Sequence, residues 1–163
     1  MPNQLSGLKT RIRPTAYRLF GVLPNRVRRG VIKLITPSFT VGALAVLHDA
    51  DEVLFVRQLH RPGLSLPGGL LKKGEPARLA LIRELAEEVG LDPAGLGAVP
   101  DTAHVDPLRR RVDLIWMLKV SRWTLAAQAG SEVSLVAWRT VSDAELTPQT
   151  VEILTAIASR LPG

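Results

Sequence analysis

The chain contains 163 residues, of which 46% are hydrophobic, and it carries a formal net charge of +6. This size and composition predict one folded domain with a substantial core and exclude a largely disordered chain. We find no cysteine, no run of roughly 18 apolar residues and no long apolar leader, so we expect no disulfide, thiolate metal site, membrane span or signal peptide, and a cytoplasmic protein.

The basic residues are concentrated at the start of the chain. Residues 1–48 contain eight Lys and Arg and no acid, whereas the remainder contains 13 basic and 15 acidic residues. We therefore divide the chain into a basic amphipathic N-terminal extension, residues 1–37, and a main domain, residues 38–163. The extension is interpreted as packing on the domain or on a second subunit, as in a homodimer. The alternative is contact with an anionic membrane or with RNA.

The main domain begins with two strand signals. The nearly continuous apolar run from Thr40 to Leu47 is typical of a strand that is buried on both faces. Turn residues follow at Asp49–Asp51, and Val53–Arg57 is predicted to be the antiparallel partner. A loop rich in glycine and proline then extends from Gln58 to Gly69.

An acidic helix is predicted next. It should begin near Pro76, placed at the first helical position where proline costs no hydrogen bond, and end at Gly90 as a C-terminal cap. Its acids Glu84, Glu87 and Glu88 are spaced i, i+3 and i+4 and so share one face. Three crowded carboxylates repel one another unless a cation compensates. We therefore interpret this face as oxygen ligands for a hard divalent metal rather than as a merely solvated surface.

The rest of the chain supplies more strands and a closing helix. Strands are predicted at Val99–Val105, at Val112–Lys119 and at Val133–Arg139. The basic run Arg109–Arg111 is interpreted as a solvated turn rather than a phosphate clamp. Residues 149–161 should form a helix whose apolar side consists of Val151, Leu154, Ile157, Ala158 and Leu161. Mixed strands with two main helices predict an α/β sandwich.

Nine positions in the acidic segment match the Nudix box, Gly-x5-Glu-x7-Arg-Glu-U-x-Glu-Glu-x-Gly-U, in which U is aliphatic. The matching residues are Gly69, Glu75, Arg83, Glu84, Leu85, Glu87, Glu88, Gly90 and Leu91. A chance match should be rarer than about one in a million per start site. The chain therefore resembles the Nudix hydrolase family over roughly residues 38 to 160.

The resemblance implies both a fold and a reaction. The fold is a Nudix-type α/β/α sandwich with a mixed sheet, in which the box forms a loop-helix-loop catalytic motif. The reaction is hydrolysis of a pyrophosphate bond in a nucleoside diphosphate linked to another moiety, with Mg²⁺ or Mn²⁺ as the cofactor and a nucleotide-type small molecule as the substrate.

The resemblance also implies roles for individual residues. The positions that correspond to metal ligands are Glu84, Glu87, Glu88 and the carbonyl of Gly68. Glu84 also corresponds to an acid that takes a proton from water. Arg83 corresponds to an arginine that orients the neighbouring carboxylates, and we expect it to pair with Glu75. Gly69, Glu75 and Gly90 belong to the structural part of the box.

Four residues outside the box are further candidates. Glu132 lies six residues before Trp138, where many Nudix chains carry an acid that serves as general base or extra ligand. The alternative is an exposed loop glutamate. Arg57, His60 and Arg61 precede the box and are candidates for binding substrate phosphates, because cations strengthen both binding and transition-state neutralisation. A lone histidine is more often structural.

The substrate is less constrained by the sequence. Pro107 lies 16 residues after Leu91, which resembles the group acting on ADP-ribose, although Asp106–Pro107 is also ordinary turn chemistry. An ADP-ribose or nucleotide-sugar type of diphosphate is the first choice. The alternatives are a nucleoside triphosphate pyrophosphohydrolase that sanitises the nucleotide pool and a non-catalytic nucleotide-binding or tethering protein.

Overall fold

A computed structural model describes residues 21–36, 38–122, 132–142 and 144–161. The chain divides into two compact units, residues 1–38 and residues 39–163. In the first unit the described structure is mainly helix α1 (Asn25–Ile35), which is strongly amphipathic and exposes Arg26 and Arg29. Residues 1–20 of the predicted extension lie outside the described part of the chain.

The second unit is built from strands with two α-helices among its described residues. The strands are β1 (Thr40–Asp49), β2 (Glu52–Gln58), β3 (Gly68–Leu70), β4 (Thr102–Asp106), β5 (Arg111–Lys119) and β6 (Val133–Thr140). The helices are α2 (Ala77–Val89), α3 (Pro148–Ala156) and a final 3₁₀ turn, Ala158–Arg160. No helix in the described part of the chain has the length and apolar content that crossing a lipid bilayer would require.

The strands form one mixed sheet in the order β4-β5-β1-β2-β6, with β3 also paired to β1. Strands β1 and β5 run parallel along nine residue pairs, from Thr40 opposite Arg111 to His48 opposite Lys119. On its other edge β1 has two partners. Strand β2 pairs antiparallel with its end, at His48 and Asp49, and β3 pairs antiparallel with Gly42–Leu44 near its start. The sheet therefore brings β3, which begins the acidic motif, directly against the central strand.

Helices cover both faces of the sheet. One core contains Ala43, Ala45 and Leu47 of β1 together with the apolar face of α2, made up of Ala80, Leu81, Leu85 and Val89. The alternate side chains Leu44 and Val46 of β1 point to the other core, which includes Ile153 and Leu154 of α3. This is the predicted α/β/α sandwich, and β1 is buried on both faces as expected.

Helix α2 begins one residue later than predicted. Pro76 has an extended backbone with ψ 138°, so it caps the helix instead of forming its first turn. Its carbonyl accepts the first helical hydrogen bond, from the N–H of Ala80 at 3.0 Å. Gly90 closes the helix in the left-handed conformation, with φ 66°, as predicted.

Two other elements in the second half of the unit are shorter than predicted. Strand β4 begins at Thr102 rather than at Val99, because Pro100 has no N–H for a ladder and Val99 is exposed. The last α-helix ends at Ala156 instead of continuing to residue 161. The predicted apolar side of that helix was wrong in part. The buried apolar residues are Ile153 and Leu154 of the helix and Ile157 directly after it, whereas Val151 and Ala158 are exposed.

Candidate functional site

The acidic helix is tied to the sheet through Gly68. The N–H of Gly68 donates to Oε2 of Glu88 at 2.7 Å, and both residues are buried. Gly68 has φ +128°, and a Cβ at this position would overlap the carbonyl oxygen of Ala43 in β1. A glycine is therefore required for β3 to lie this close to β1 and for its N–H to reach Glu88.

Glu88 is an unusual residue in this helix because it is a carboxylic acid with only 6% of its surface exposed. Its pKa is raised to about 7, chiefly by burial and also by the nearby charges of Glu84 and Glu132. Hydrogen bonds from the Gly68 N–H and from the Gln58 side chain lower the pKa but do not offset burial. The site thus places a carboxylate where its charge is only partly neutralised by the protein.

Arg83 organises the other acids of the box. Its guanidinium forms two parallel hydrogen bonds to Glu75, from Nε to Oε1 and from Nη2 to Oε2, both at 3.0 Å. Its Nη1 donates to Oε1 of Glu84 at 2.6 Å and lies 3.5 Å from Oε2 of Glu87. Hydrogen bonds from Arg83 and from the N–H of Lys72 lower the pKa of Glu75 to about 2. The expected Arg83–Glu75 pair is present.

A cavity of about 310 Å³ opens beside this network. Of the residues singled out from the sequence, those that line it are His60, Arg61, Gly68, Gly69, Arg83, Glu84, Glu88 and Glu132. A second hollow of about 330 Å³ is lined by Lys72, Arg83, Glu84, Glu87, Glu88, Glu132 and Val133. Glu132 therefore lies at the same place as the acids of α2, although it is 44 residues further along the chain than Glu88.

Arg57 lines neither of these cavities. Its Nη2 lies 3.9 Å from Oε2 of Glu145, and its side chain is 41% exposed. The pairing of β2 with β6 shifts register between Arg57 and Gln58. Such a bulge re-aims side chains, and it is Gln58, not Arg57, that lines the cavity and reaches Glu88.

Sequence reasoning missed a second polar cluster on the cavity wall. Arg111 and Gln149 line the cavity, and both hydrogen bond to Asp113, which is 1% exposed. The run Arg109–Arg111 is thus not uniformly a solvated turn, because Arg111 belongs to β5. The available signal was Asp113, a charged residue among the apolar residues of a strand, since buried charges in proteins are paired.

The atoms of the box that could coordinate a metal ion are carboxylate oxygens, together with the main-chain carbonyl of the preceding Gly68. Hard divalent cations prefer such oxygen ligands. Buried Glu88 fits such a role, because a cation would offset a charge that the protein neutralises only in part. In the described ranges no three His, Asp or Glu side chains converge closely enough to hold a metal ion. Glu84 is turned toward Arg83 and the side chain of Glu87 is 59% exposed.

Comparison with known proteins identifies relatives of this chain. A family model described as NUDIX domain matches residues 38–157. A Bacillus subtilis (strain 168) protein named "Putative 8-oxo-dGTP diphosphatase" is 39% identical over 57 residues, which is 34% of this chain and 38% of that protein. The alignment thus spans little more than a third of that relative.

Solved structures share the fold at low sequence identity. The NUDIX domain of Shewanella oneidensis NrtR, crystallised with ADP ribose, superimposes with a TM-score of 0.58 at 22% identity, covering 78% of this chain and 91% of that one. A Francisella tularensis bifunctional NMN adenylyltransferase/ADP ribose pyrophosphatase, complexed with AMP and a Mn ion, gives a TM-score of 0.62 at 21% identity. That match covers 82% of this chain and 45% of that one.

Proposed function

This chain belongs to the NUDIX domain family, and on that premise we propose that it is a hydrolase that cleaves a pyrophosphate bond in a nucleoside diphosphate linked to another moiety. The observation that carries the proposal is the position of Glu88. It is a buried, incompletely neutralised carboxylate on the wall of a cavity that it shares with Glu84 and Glu132. A site of this composition suits a polyanionic substrate that arrives with a divalent cation.

The residues proposed to hold the cation are Glu84, Glu87, Glu88 and the carbonyl of Gly68. Mg²⁺ is our first choice of cofactor and Mn²⁺ the second. When bound, such a cation offsets phosphate charge and lowers the pKa of a water molecule. Glu84 would have to leave its hydrogen bond with Arg83 Nη1, at 2.6 Å, or share its second oxygen. Arg83 would stay in place because Glu75 holds it by two further bonds.

The chain's own residues would bind and orient the diphosphate around these acids. His60, Arg61 and Lys72 line the cavity and supply positive charge or hydrogen-bond donors for phosphate oxygens. We propose Glu132 or Glu84 as the acid that accepts a proton from the attacking water, since both carboxylates line the two hollows. Arg83 acts as a positioning residue for Glu84 and Glu87.

The first choice of substrate is an ADP-ribose or nucleotide-sugar type of diphosphate. Pro107 occupies the turn between β4 and β5, at the spacing noted from the sequence, and the Shewanella domain of the same fold was crystallised with ADP ribose. The second choice is a nucleoside triphosphate, which is favoured by the name of the Bacillus relative. We also propose a cytoplasmic location, which the lack of cysteine in the sequence supports.

The proposal is tested by measuring release of phosphate or nucleoside monophosphate from a panel of nucleoside diphosphate derivatives and triphosphates, with Mg²⁺ and with EDTA. Wild-type protein should hydrolyse at least one class only when the cation is present. The double variant Glu87→Gln/Glu88→Gln should lose about a hundred-fold or more in turnover. Glu145→Gln, a change at an exposed acid that lines neither hollow, should retain full turnover. Full activity of the double variant, or activity in EDTA, would refute the proposal.

A further inference from the structure

Arg111, Asp113 and Gln149 form a hydrogen-bonded cluster on the cavity wall that lies outside the Nudix box. Nε of Arg111 donates to Oδ1 of Asp113 at 2.7 Å, and Nε2 of Gln149 donates to Oδ2 of the same carboxylate at 3.1 Å. Asp113 is 1% exposed, whereas the Arg111 side chain is 18% exposed. The buried carboxylate thus holds two side chains that reach the cavity, one by each of its oxygens.

The central strand leaves room for this cluster at Gly42. Gly42 lies opposite Asp113 in the parallel pairing of β1 with β5. A Cβ on Gly42 would overlap Oδ1 of Asp113 and would lie 2.9 Å from Nη2 of Arg111. The cluster therefore occupies the space that a side chain at position 42 would fill, so its geometry depends on the backbone of β1 as well as on its own bonds.

The cluster presents both donors and an acceptor to the cavity. A carboxylate only accepts hydrogen bonds, so the amide nitrogen of Gln149 must face Asp113 and its Oε1 must face elsewhere. Within the described ranges of the chain, Oε1 of Gln149 and the two terminal nitrogens of Arg111 have no hydrogen-bond partner. A ligand in the cavity can therefore accept hydrogen bonds from the N–H groups of Arg111 and donate a hydrogen bond to Oε1 of Gln149.

The charge of the cluster disfavours a phosphate. Asp113 neutralises Arg111 at 2.7 Å, and a phosphate brought to that guanidinium would also approach the buried carboxylate. A neutral group that carries an acceptor beside a donor fits better, and the edge of a purine base has that arrangement. The apolar residues Leu44, Leu66 and Ile153 also line the cavity and suit the face of a ring.

We propose that Arg111 and Gln149 bind the nucleobase of the substrate, with Asp113 as the residue that positions them. This inference rests on the proposed function for the nature of the substrate, but it concerns a part of the cavity distinct from the acids of the box. It assigns base selection to the junction of β5 with α3, and phosphate binding to the box and the loop before it.

The test is calorimetric binding of AMP, GMP and ribose 5-phosphate to the full chain in EDTA, so that it does not depend on catalysis. Wild-type protein should bind at least one nucleotide about ten-fold or more tightly than ribose 5-phosphate. Arg111→Lys, which keeps the charge beside Asp113, and Gln149→Met should abolish that difference while leaving the affinity for ribose 5-phosphate unchanged. Arg110→Lys, the same exchange at an exposed neighbour, should preserve it.

A further variant tests the positioning of the cluster. Gly42→Ala keeps all three side chains but displaces them, so it should also remove the preference for a base. Equal binding of ribose 5-phosphate and both nucleotides by wild-type protein, or no binding of any of them, would overturn the inference. Equal weakening of all three ligands in Arg111→Lys would show a phosphate site instead and would overturn it too. Base-selective binding without cation-dependent hydrolysis would leave this inference standing and refute the proposed function.

Discussion

Arg83 and Glu75 are joined by two parallel hydrogen bonds of 3.0 Å, although Glu75 lies in the loop before α2 and Arg83 lies in the second turn of that helix. Glu75 also accepts a bond from the N–H of Lys72 at 2.8 Å. The pair thus fixes the loop, the helix and the guanidinium that contacts Glu84 in one arrangement.

The first prediction concerns how the Arg83–Glu75 pair contributes to stability at acidic pH. The pKa of Glu75 is lowered to about 2, from a usual value of 4.5, chiefly by hydrogen bonding to Arg83. A depressed pKa stabilises the folded protein above pH 4.5, and this contribution declines as the pH falls toward 2. Glu75→Gln should therefore lower the melting temperature at pH 7, and the difference from wild type should shrink between pH 4.5 and 2.

Thermal unfolding followed by circular dichroism across this pH range measures the effect. Glu145→Gln serves as the control, because its side chain is 87% exposed. A difference between wild type and Glu75→Gln that grows on acidification would contradict the assignment of the low pKa to this residue.

The second prediction concerns Glu88 in protein stripped of metal with EDTA. Its pKa is raised to about 7 mainly by burial, so the folded protein binds the proton more tightly than the unfolded chain. Stability should then fall as the pH rises from 4.5 through 7. Glu88→Gln should flatten this decline and melt higher than wild type at pH 8, while its Oε1 can still accept the bond from Gly68.

Addition of Mg²⁺ at pH 8 should reverse the order. The cation should raise the melting temperature of wild type by binding the folded state, and it should leave Glu88→Gln unchanged. Equal stabilisation of both proteins by Mg²⁺ would remove Glu88 from the set of ligands.

The third prediction concerns the glycine at the start of β3. Gly68→Ala combines a positive φ with an overlap on the main chain of β1, so it should destabilise the fold by about 3 kcal/mol or more. The matched control is Gly74→Ala, which also has a positive φ, +78°, but nothing within 4 Å of the added Cβ. It should cost only about 1–2 kcal/mol. Urea unfolding of both variants compares the two costs, and similar losses would show that contact with Ala43 is unimportant.

The fourth prediction tests the alternative interpretation of the N-terminal extension, in which it contacts an anionic membrane. The full chain should sediment with vesicles that contain phosphatidylserine at low salt and be released as salt is raised. Arg26→Glu/Arg29→Glu, a change at two exposed arginines of α1, should weaken this binding. No binding at low salt would support the first interpretation, in which the segment packs on protein, and equal binding to neutral vesicles would show that the arginines do not drive the contact.

The local parts of the site were predictable because the box encodes them at short range. Glu84, Glu87 and Glu88 lie in one helix at i, i+3 and i+4, so periodicity alone places them on one face. The pairing of Arg83 with Glu75 in the preceding loop was implied only by the resemblance to the Nudix family. Alternation in β5 likewise identified a strand, and the cap at Gly90 followed from residue type.

The long-range parts were not predictable from pattern. Asp113 and Gln149 meet because β5 lies parallel to β1 and α3 packs on the same face, a consequence of topology that no single segment carries. Arg57 was expected at the substrate site because it ends a strand, but one irregular pairing between Arg57 and Gln58 changes which residue faces the cavity. A bulge of one residue leaves no clear mark in the sequence.

The close approach of β3 to β1 at Gly68 and Ala43 limits where substitutions in this chain can change specificity. Two peptide backbones meet there without room for a side chain at position 68, and the same residue donates the hydrogen bond that holds Glu88 of the acidic helix. The cluster at Arg111 and Gln149, by contrast, is made of side chains on other elements. The side chains proposed to select the base can therefore be exchanged while the backbone contact that brings Gly68 to Glu88 is kept.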